Sequence, residues 1–111
     1  ASLLSLDELP PVLLRAVGLT TAQGAMVDRV EPGGPAARAG LRGAQRDTQG
    51  RLVELGDVIL AVNGRPVQGK AEVVQLLARY RPGDKVRLTL WREGRRIETA
   101  LTMVARPRTA P

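Results

Sequence analysis

From Lys85 to Val104 the chain alternates apolar and polar side chains almost without interruption. Lys85-Val86-Arg87-Leu88-Thr89-Leu90-Trp91 puts Val86, Leu88 and Leu90 on one side. After the turn residues Glu93-Gly94, Ile97-Glu98-Thr99-Ala100-Leu101-Thr102-Met103-Val104 alternates again. Successive side chains of a strand point to opposite faces, so this period of two predicts an antiparallel hairpin over 85–104 with one dry face. A sheet that is wet on one side must cover the other with helices or a second layer. That requirement constrains everything upstream.

The upstream residues supply the cover. Leu3 to Leu6 is a short apolar stretch that reads as a strand. Pro10-Pro11 opens and Gly18 closes a short helix over about 10–17, since proline suits a first helical turn and glycine a stop. Gly24 to Val30 alternates and reads as a strand, ended by the turn Glu31-Pro32-Gly33-Gly34. Pro35 to Gly40 reads as a small helix by the same proline and glycine signals. Residues 42–54 are polar and glycine-containing, and are expected to form a long surface loop, with a small hairpin as an option. Gly56 to Val62 is a β-branched run suited to a buried strand. Asn63-Gly64 is a strong tight-turn pair, and Arg65-Pro66-Val67 resumes extended. Gly69 to Tyr80 is helical in pattern, with Val73, Leu77 and Tyr80 on one stripe and Glu72, Leu76 and Arg79 beside it. Arg81-Pro82-Gly83-Asp84 stops that helix. The whole predicts one α+β domain over 1–105, with five or six short strands and two or three helices, followed by a flexible tail at 106–111.

Composition narrows function more than fold. The chain has 111 residues, no histidine and no cysteine. Imidazole bases, thiol nucleophiles and zinc sites built on those side chains are thereby excluded. Ser2 and Ser5 lack a histidine partner. The carboxylate pairs Asp28/Glu31 and Asp47/Glu54 lack an apolar surrounding to tune them, so each reads as solvated. No catalytic residue, metal or cofactor is expected. The net charge is +6, but the arginines are scattered and only Trp91 and Tyr80 are aromatic. A nucleic-acid binder concentrates charge on one face and adds stacking rings, so no nucleic-acid partner is expected. No apolar run approaches the ~20 residues of a membrane span. The chain starts Ala-Ser-Leu-Leu without methionine and reads as a piece of a longer protein.

Three stretches in order carry a resemblance. They are Gly33-Gly34-Pro35-Ala36-Ala37-Arg38-Ala39-Gly40-Leu41, Gly56-Asp57-Val58-Ile59-Leu60-Ala61-Val62-Asn63-Gly64-Arg65-Pro66-Val67, and Pro82-Gly83-Asp84-Lys85-Val86-Arg87-Leu88-Thr89-Leu90. Their order and spacing resemble a bacterial, circularly permuted PDZ domain, in particular those of the HtrA/Deg family of trypsin-like serine proteases. The insert at 42–54 resembles a subset that includes plant chloroplast members. The resemblance implies a PDZ-like fold, a partly open five- to six-stranded β-sandwich or barrel capped by short helices. It implies capture of C-terminal peptides or unfolded segments by β-augmentation, for substrate recognition or regulation of a separate protease domain. The partners it implies are such peptides, the neighbouring protease domain and subunits of the parent. The compartment it implies is the bacterial periplasm or cell envelope. Two alternatives stay open: a structural contact module with a closed groove, and a PDZ domain of another envelope protease or secretion component.

The same resemblance points to a site. The carboxylate-binding loop aligns with Ala1-Ser2-Leu3-Leu4, with Leu3 where the family usually has glycine, and Ser5 and Leu6 continue the peptide-pairing strand. Leu3, Leu4 and Leu6 have core packing as their other available role. The facing helix implies Leu76 as the apolar wall, with Glu72 and Arg79 selecting neighbouring ligand residues by charge. Those two have a plain solvent-facing stripe as their alternative. Asp57, behind Gly56, is expected to bond backbone N–H groups rather than ligand.

Overall fold

A computed structural model describes residues 2–19 and 23–104. The expected tail at 106–111 and Ala1 of the expected loop lie outside the described residues. In chain order the elements are β1 (Ser2–Ser5), a 3-10 turn (Leu6–Glu8), α1 (Pro11–Ala16), β2 (Ala25–Arg29), α2 (Pro35–Arg38), β3 (Gln45–Arg46), β4 (Leu52–Glu54), β5 (Val58–Val62), β6 (Arg65–Pro66), α3 (Lys70–Leu77), β7 (Lys85–Arg92) and β8 (Arg95–Thr102).

The alternating segment forms the expected hairpin. Every residue of β7 pairs with β8, from Lys85 opposite Thr102 to Arg92 opposite Arg95. The strands run closer to the turn than the sequence pattern suggests, because Glu93 and Gly94 both take positive φ, 51° and 78°. Two such residues make the tight turn that matches strand twist, so pairing starts at once on either side. Asn63 and Gly64, at 48° and 79°, do the same between β5 and β6.

The principal sheet has six strands in the order β1-β2-β5-β7-β8, with β6 added on β5. Its free edges along this path are β1 and β8. The polar insert closes on itself as the β3–β4 hairpin. Asp47 organises its turn by accepting from the N–H groups of Gln49 and Arg51, both at 2.9 Å. Arg46 Nη2 ties it to Asp28 Oδ1 on β2 at 2.8 Å.

Two apolar clusters lie on opposite faces of the sheet. The larger gathers Ala25, Val27, Ile59, Val62, Val73, Val86, Leu88, Leu90 and Leu101, with α2 and α3 over it. The smaller gathers Leu6, Leu9, Leu14, Met26 and Val58, closed by α1 and Trp91. This explains a departure on β2. An alternating, half-buried strand is expected there, yet Ala25, Met26 and Val27 are all fully buried, because both faces of the strand are covered. Trp91 Nε1 donates to the carbonyl of Val17 at 2.7 Å, which fixes the end of α1 on β7.

The helix α3 is shorter than the pattern over 69–80. It ends at Leu77, and the N–H groups of Arg79 and Tyr80 reach back only three residues, to Leu76 and Leu77. The last turn tightens ahead of Pro82, which cannot continue a helix.

Candidate functional site

The strand β1 is short and, among the described residues, pairs on one side only, with β2. Its other edge faces α3. Between them, at the Ser2 end of β1 and the Leu77 end of α3, lies a cavity of about 440 Å³. Side chains from distant elements build its wall: Leu3 on β1, Ala36 on α2, Ile59 on β5, Leu77 on α3, and Leu101 and Met103 at the end of β8. Leu88, fully buried on β7, forms part of its floor. Among the described residues, Glu31 is the one charged residue in the lining. The chamber is lined mostly by apolar side chains and lies beside the edge strand β1.

The sequence-derived residues divide around this chamber. Leu3 enters its wall. Ser2 is exposed and sits opposite Arg29 in the register. Leu4 points to the other face and packs on the smaller cluster, and Leu6 is completely buried within that cluster. Ser5 turns toward α3, where its Oγ accepts from the Lys70 N–H at 3.0 Å. On the helix, Leu76 packs against the larger cluster, and it is Leu77 that lines the cavity. Glu72 is half-buried, Arg79 is exposed, and neither reaches the cavity.

The reason is helix phase. Val73 is fully buried at the centre of the packed face, so positions i+3 and i+4 flank it on either side. Only the tertiary placement of β1 decides which flank meets the cleft. Ala36, Leu101 and Met103 carry no local signal of a site. They are ordinary apolar positions on α2 and at the end of β8, gathered by topology.

A second pocket, about 280 Å³, is polar and lies at the other end of the sheet, lined by Arg42, Glu54, Asp57, Arg92 and Glu93 among others. Four of its charged residues pair with one another, Asp57 with Arg92 and Arg42 with Glu93. Asp57 is buried, and its Oδ1 accepts from Arg92 Nε at 2.7 Å while Oδ2 accepts from Arg92 Nη2 and from the Arg42 N–H. The Asp57 hydrogen bond holds the Arg92 guanidinium above its ordinary pKa. Arg92 also donates to the Gly40 carbonyl at 2.7 Å. Asp57 therefore bonds a backbone N–H, as its position predicts, and joins α2, the insert and β7. Among the described residues no cluster of acidic side chains is arranged to hold a metal ion.

A six-stranded antiparallel sheet, a short helix after Gly33-Gly34, and a cleft between an edge strand and a second helix define a PDZ module. The family described as PDZ domain matches residues 7–103, and the chain belongs to it. Within that family the chain is similar to a probable periplasmic serine endoprotease, DegP-like, of Brucella suis, at 36% identity over 83% of this chain and 16% of that protein. It is similar to the chloroplastic Protease Do-like 1 of Arabidopsis thaliana at 36% identity over 76% of this chain and 19% of the relative. Among solved structures it superposes on the HtrA-type protease AlgW with decapeptide at a TM-score of 0.65 and 30% identity, over 90% of this chain and 27% of that one. The chain thus spans less than a fifth of the curated relatives it matches. The matched region is a non-catalytic PDZ module. Among the described residues no helix is long and apolar enough to cross a membrane.

Proposed function

We propose that this module captures the free C-terminus of a polypeptide, with an apolar last side chain seated in the cavity between Leu3 and Leu77. The observation that carries this reading is the coincidence of two features at one place: an unpaired strand edge and an apolar chamber beside it. The edge supplies backbone hydrogen bonds that ignore sequence, and the chamber supplies selection for the last residue. An anionic terminal side chain would be desolvated against Leu3, Leu77 and Met103 and would face Glu31, and is rejected.

The parent is a serine endopeptidase of the HtrA/Deg type, working in the periplasm or cell envelope of a bacterium. The module recognises exposed C-termini or unfolded segments there and presents them to a separate protease domain or regulates it. Similarity to the periplasmic DegP-like and the HtrA-type proteins supports this part of the reading. Regulation requires that bound peptide favour one arrangement of the two domains over another.

The test is a titration with free-carboxylate peptides ending in Leu, Val or Phe, alongside the same peptides amidated, followed through backbone amide shifts. Shifts at Leu3 and Leu77 that vanish on amidation support the reading. Equal response to the amidated set, or none at millimolar peptide, sinks it.

A further inference from the structure

The cleft between β1 and α3 is open at one end and fastened at the other. Toward Leu3 and Leu77 it widens into the cavity. Toward Ser5 the strand and helix touch directly. Gly69 precedes α3 and has no side chain to cap it, and the Oγ of Ser5 caps the first helical N–H from across the cleft, at 3.0 Å. The approach is tight, since a Cβ on Gly69 would lie 2.8 Å from that oxygen. Lys70 Nζ also pairs with Glu8 Oε1 at 3.7 Å.

The strand edge is spent at the same place. Successive N–H groups of a strand point to opposite sides. The Leu6 N–H bonds the Gly24 carbonyl on the β2 side, so those of Ser5 and Leu3 face the cleft. Ser5's is already taken by Glu8 Oε2, at 2.7 Å. Among the described residues none bonds the Leu3 N–H, so a ligand strand can pair there, and one step further it meets a donor that is occupied and a helix that is bonded to the strand.

We infer that Ser5, Glu8 and the Gly69-Lys70 step form a pinch that limits the ligand to about its last three residues, the reach of one antiparallel hydrogen-bonded pair beside the terminus. The inference rests on the cleft reading given under Proposed function, and adds to it a ligand length and the residues that set it. Specificity then resides in the terminal side chain, and residues further from the ligand's C-terminus go unread.

The experiment measures affinity for acetylated, free-carboxylate peptides sharing one apolar terminus, from a tripeptide to a heptapeptide. The protein is tested as the wild type, as Glu8→Ala, and as Ser5→Ala/Glu8→Ala. For the wild type, lengthening the peptide is expected to change affinity less than about twofold. Glu8→Ala alters an exposed side chain and releases the Ser5 N–H, so the heptapeptide should gain several-fold. The double variant should gain about tenfold, the value of one added backbone pair. Trp91 fluorescence checks its fold, and Glu8→Ala alone decides if the double variant is unfolded. A wild type that gains tenfold from tripeptide to heptapeptide overturns the pinch and leaves the cleft reading intact. So does a folded Glu8→Ala variant with a flat length profile. Absence of any shift at Leu3 and Leu77, at every length, overturns both.

Discussion

At the scale of single residues, Asp57 and Leu77 allow folding and the proposed peptide binding to be tested apart. Asp57 is buried with both oxygens engaged, by Arg92 and by the Arg42 backbone. Removing one member of a buried pair strands the other, at a cost of about 3–5 kcal/mol. Because Arg92 retains some contact with water, Asp57→Ala is expected at the lower end, about 3 kcal/mol, read as the change in urea-unfolding free energy by Trp91 fluorescence. Peptide affinity of the folded variant should not move, because Asp57 lies outside the cavity lining. Leu77 behaves the opposite way. Leu77→Phe fills part of the chamber from a half-buried position. Peptides ending in Phe should weaken by about tenfold, or ~1.4 kcal/mol, while those ending in Val lose less. Leu76→Ala is the control, since it loses packing on the larger cluster and should lower stability with little change in terminal-residue preference. An unchanged preference in Leu77→Phe would place the ligand's last side chain elsewhere.

At the scale of elements, what could be read in advance follows the range of the forces involved. The β7–β8 hairpin, the Asn63-Gly64 turn and the proline starts of α1 and α2 are set by neighbours in sequence, and their chemistry is written locally. The double burial of β2 was not legible, because alternation over Gly24 to Val30 predicts one wet face, whereas Met26 is covered once α1 folds over it. The choice between Leu76 and Leu77 was hidden for the same reason. They lie on neighbouring stripes of the helix, and only β1, some seventy residues away in sequence, decides which of them lines the cavity. The insert lies between these cases. Its length and glycine content marked it as a surface excursion, and Asp47 accounts for its closing as a hairpin. Hydrogen bonds from the Arg51 backbone first, then from its side chain and the Gln49 backbone, hold the Asp47 carboxyl below its ordinary pKa. A depressed folded-state pKa means that the turn's stabilisation is complete above the unfolded aspartate value of ~3.9 and is lost as pH falls through the lower folded value. The amide resonances of Gln49 and Arg51 should therefore move together with a midpoint below ~3.9. Asp47→Asn should abolish that step. A step that persists in the variant would assign the titration to another group.

At the scale of the whole molecule, the decisive fact is that one sheet serves two cores. The strand β2 sends Met26 to the smaller cluster and Ala25 and Val27 to the larger, and β5 sends Val58 to the smaller and Ile59 and Val62 to the larger. Neither cluster can lose its wall without exposing the back of the other, so the two should unfold together, as small single domains generally do. Met26→Ala and Leu88→Ala probe them separately. Both side chains are fully buried, and each truncation is expected to cost about 2–5 kcal/mol. The sharper expectation concerns coincidence. Trp91 packs on the smaller cluster, while far-UV circular dichroism reports the shared sheet. In both variants the two signals should keep a common urea midpoint, shifted by the same amount. Were Met26→Ala to lower the Trp91 midpoint alone, α1 and its cluster would be a separable cap. In that case β1, whose Leu4 packs on that cluster while its Leu3 lines the cavity, would carry changes in the cap directly to the proposed peptide cleft.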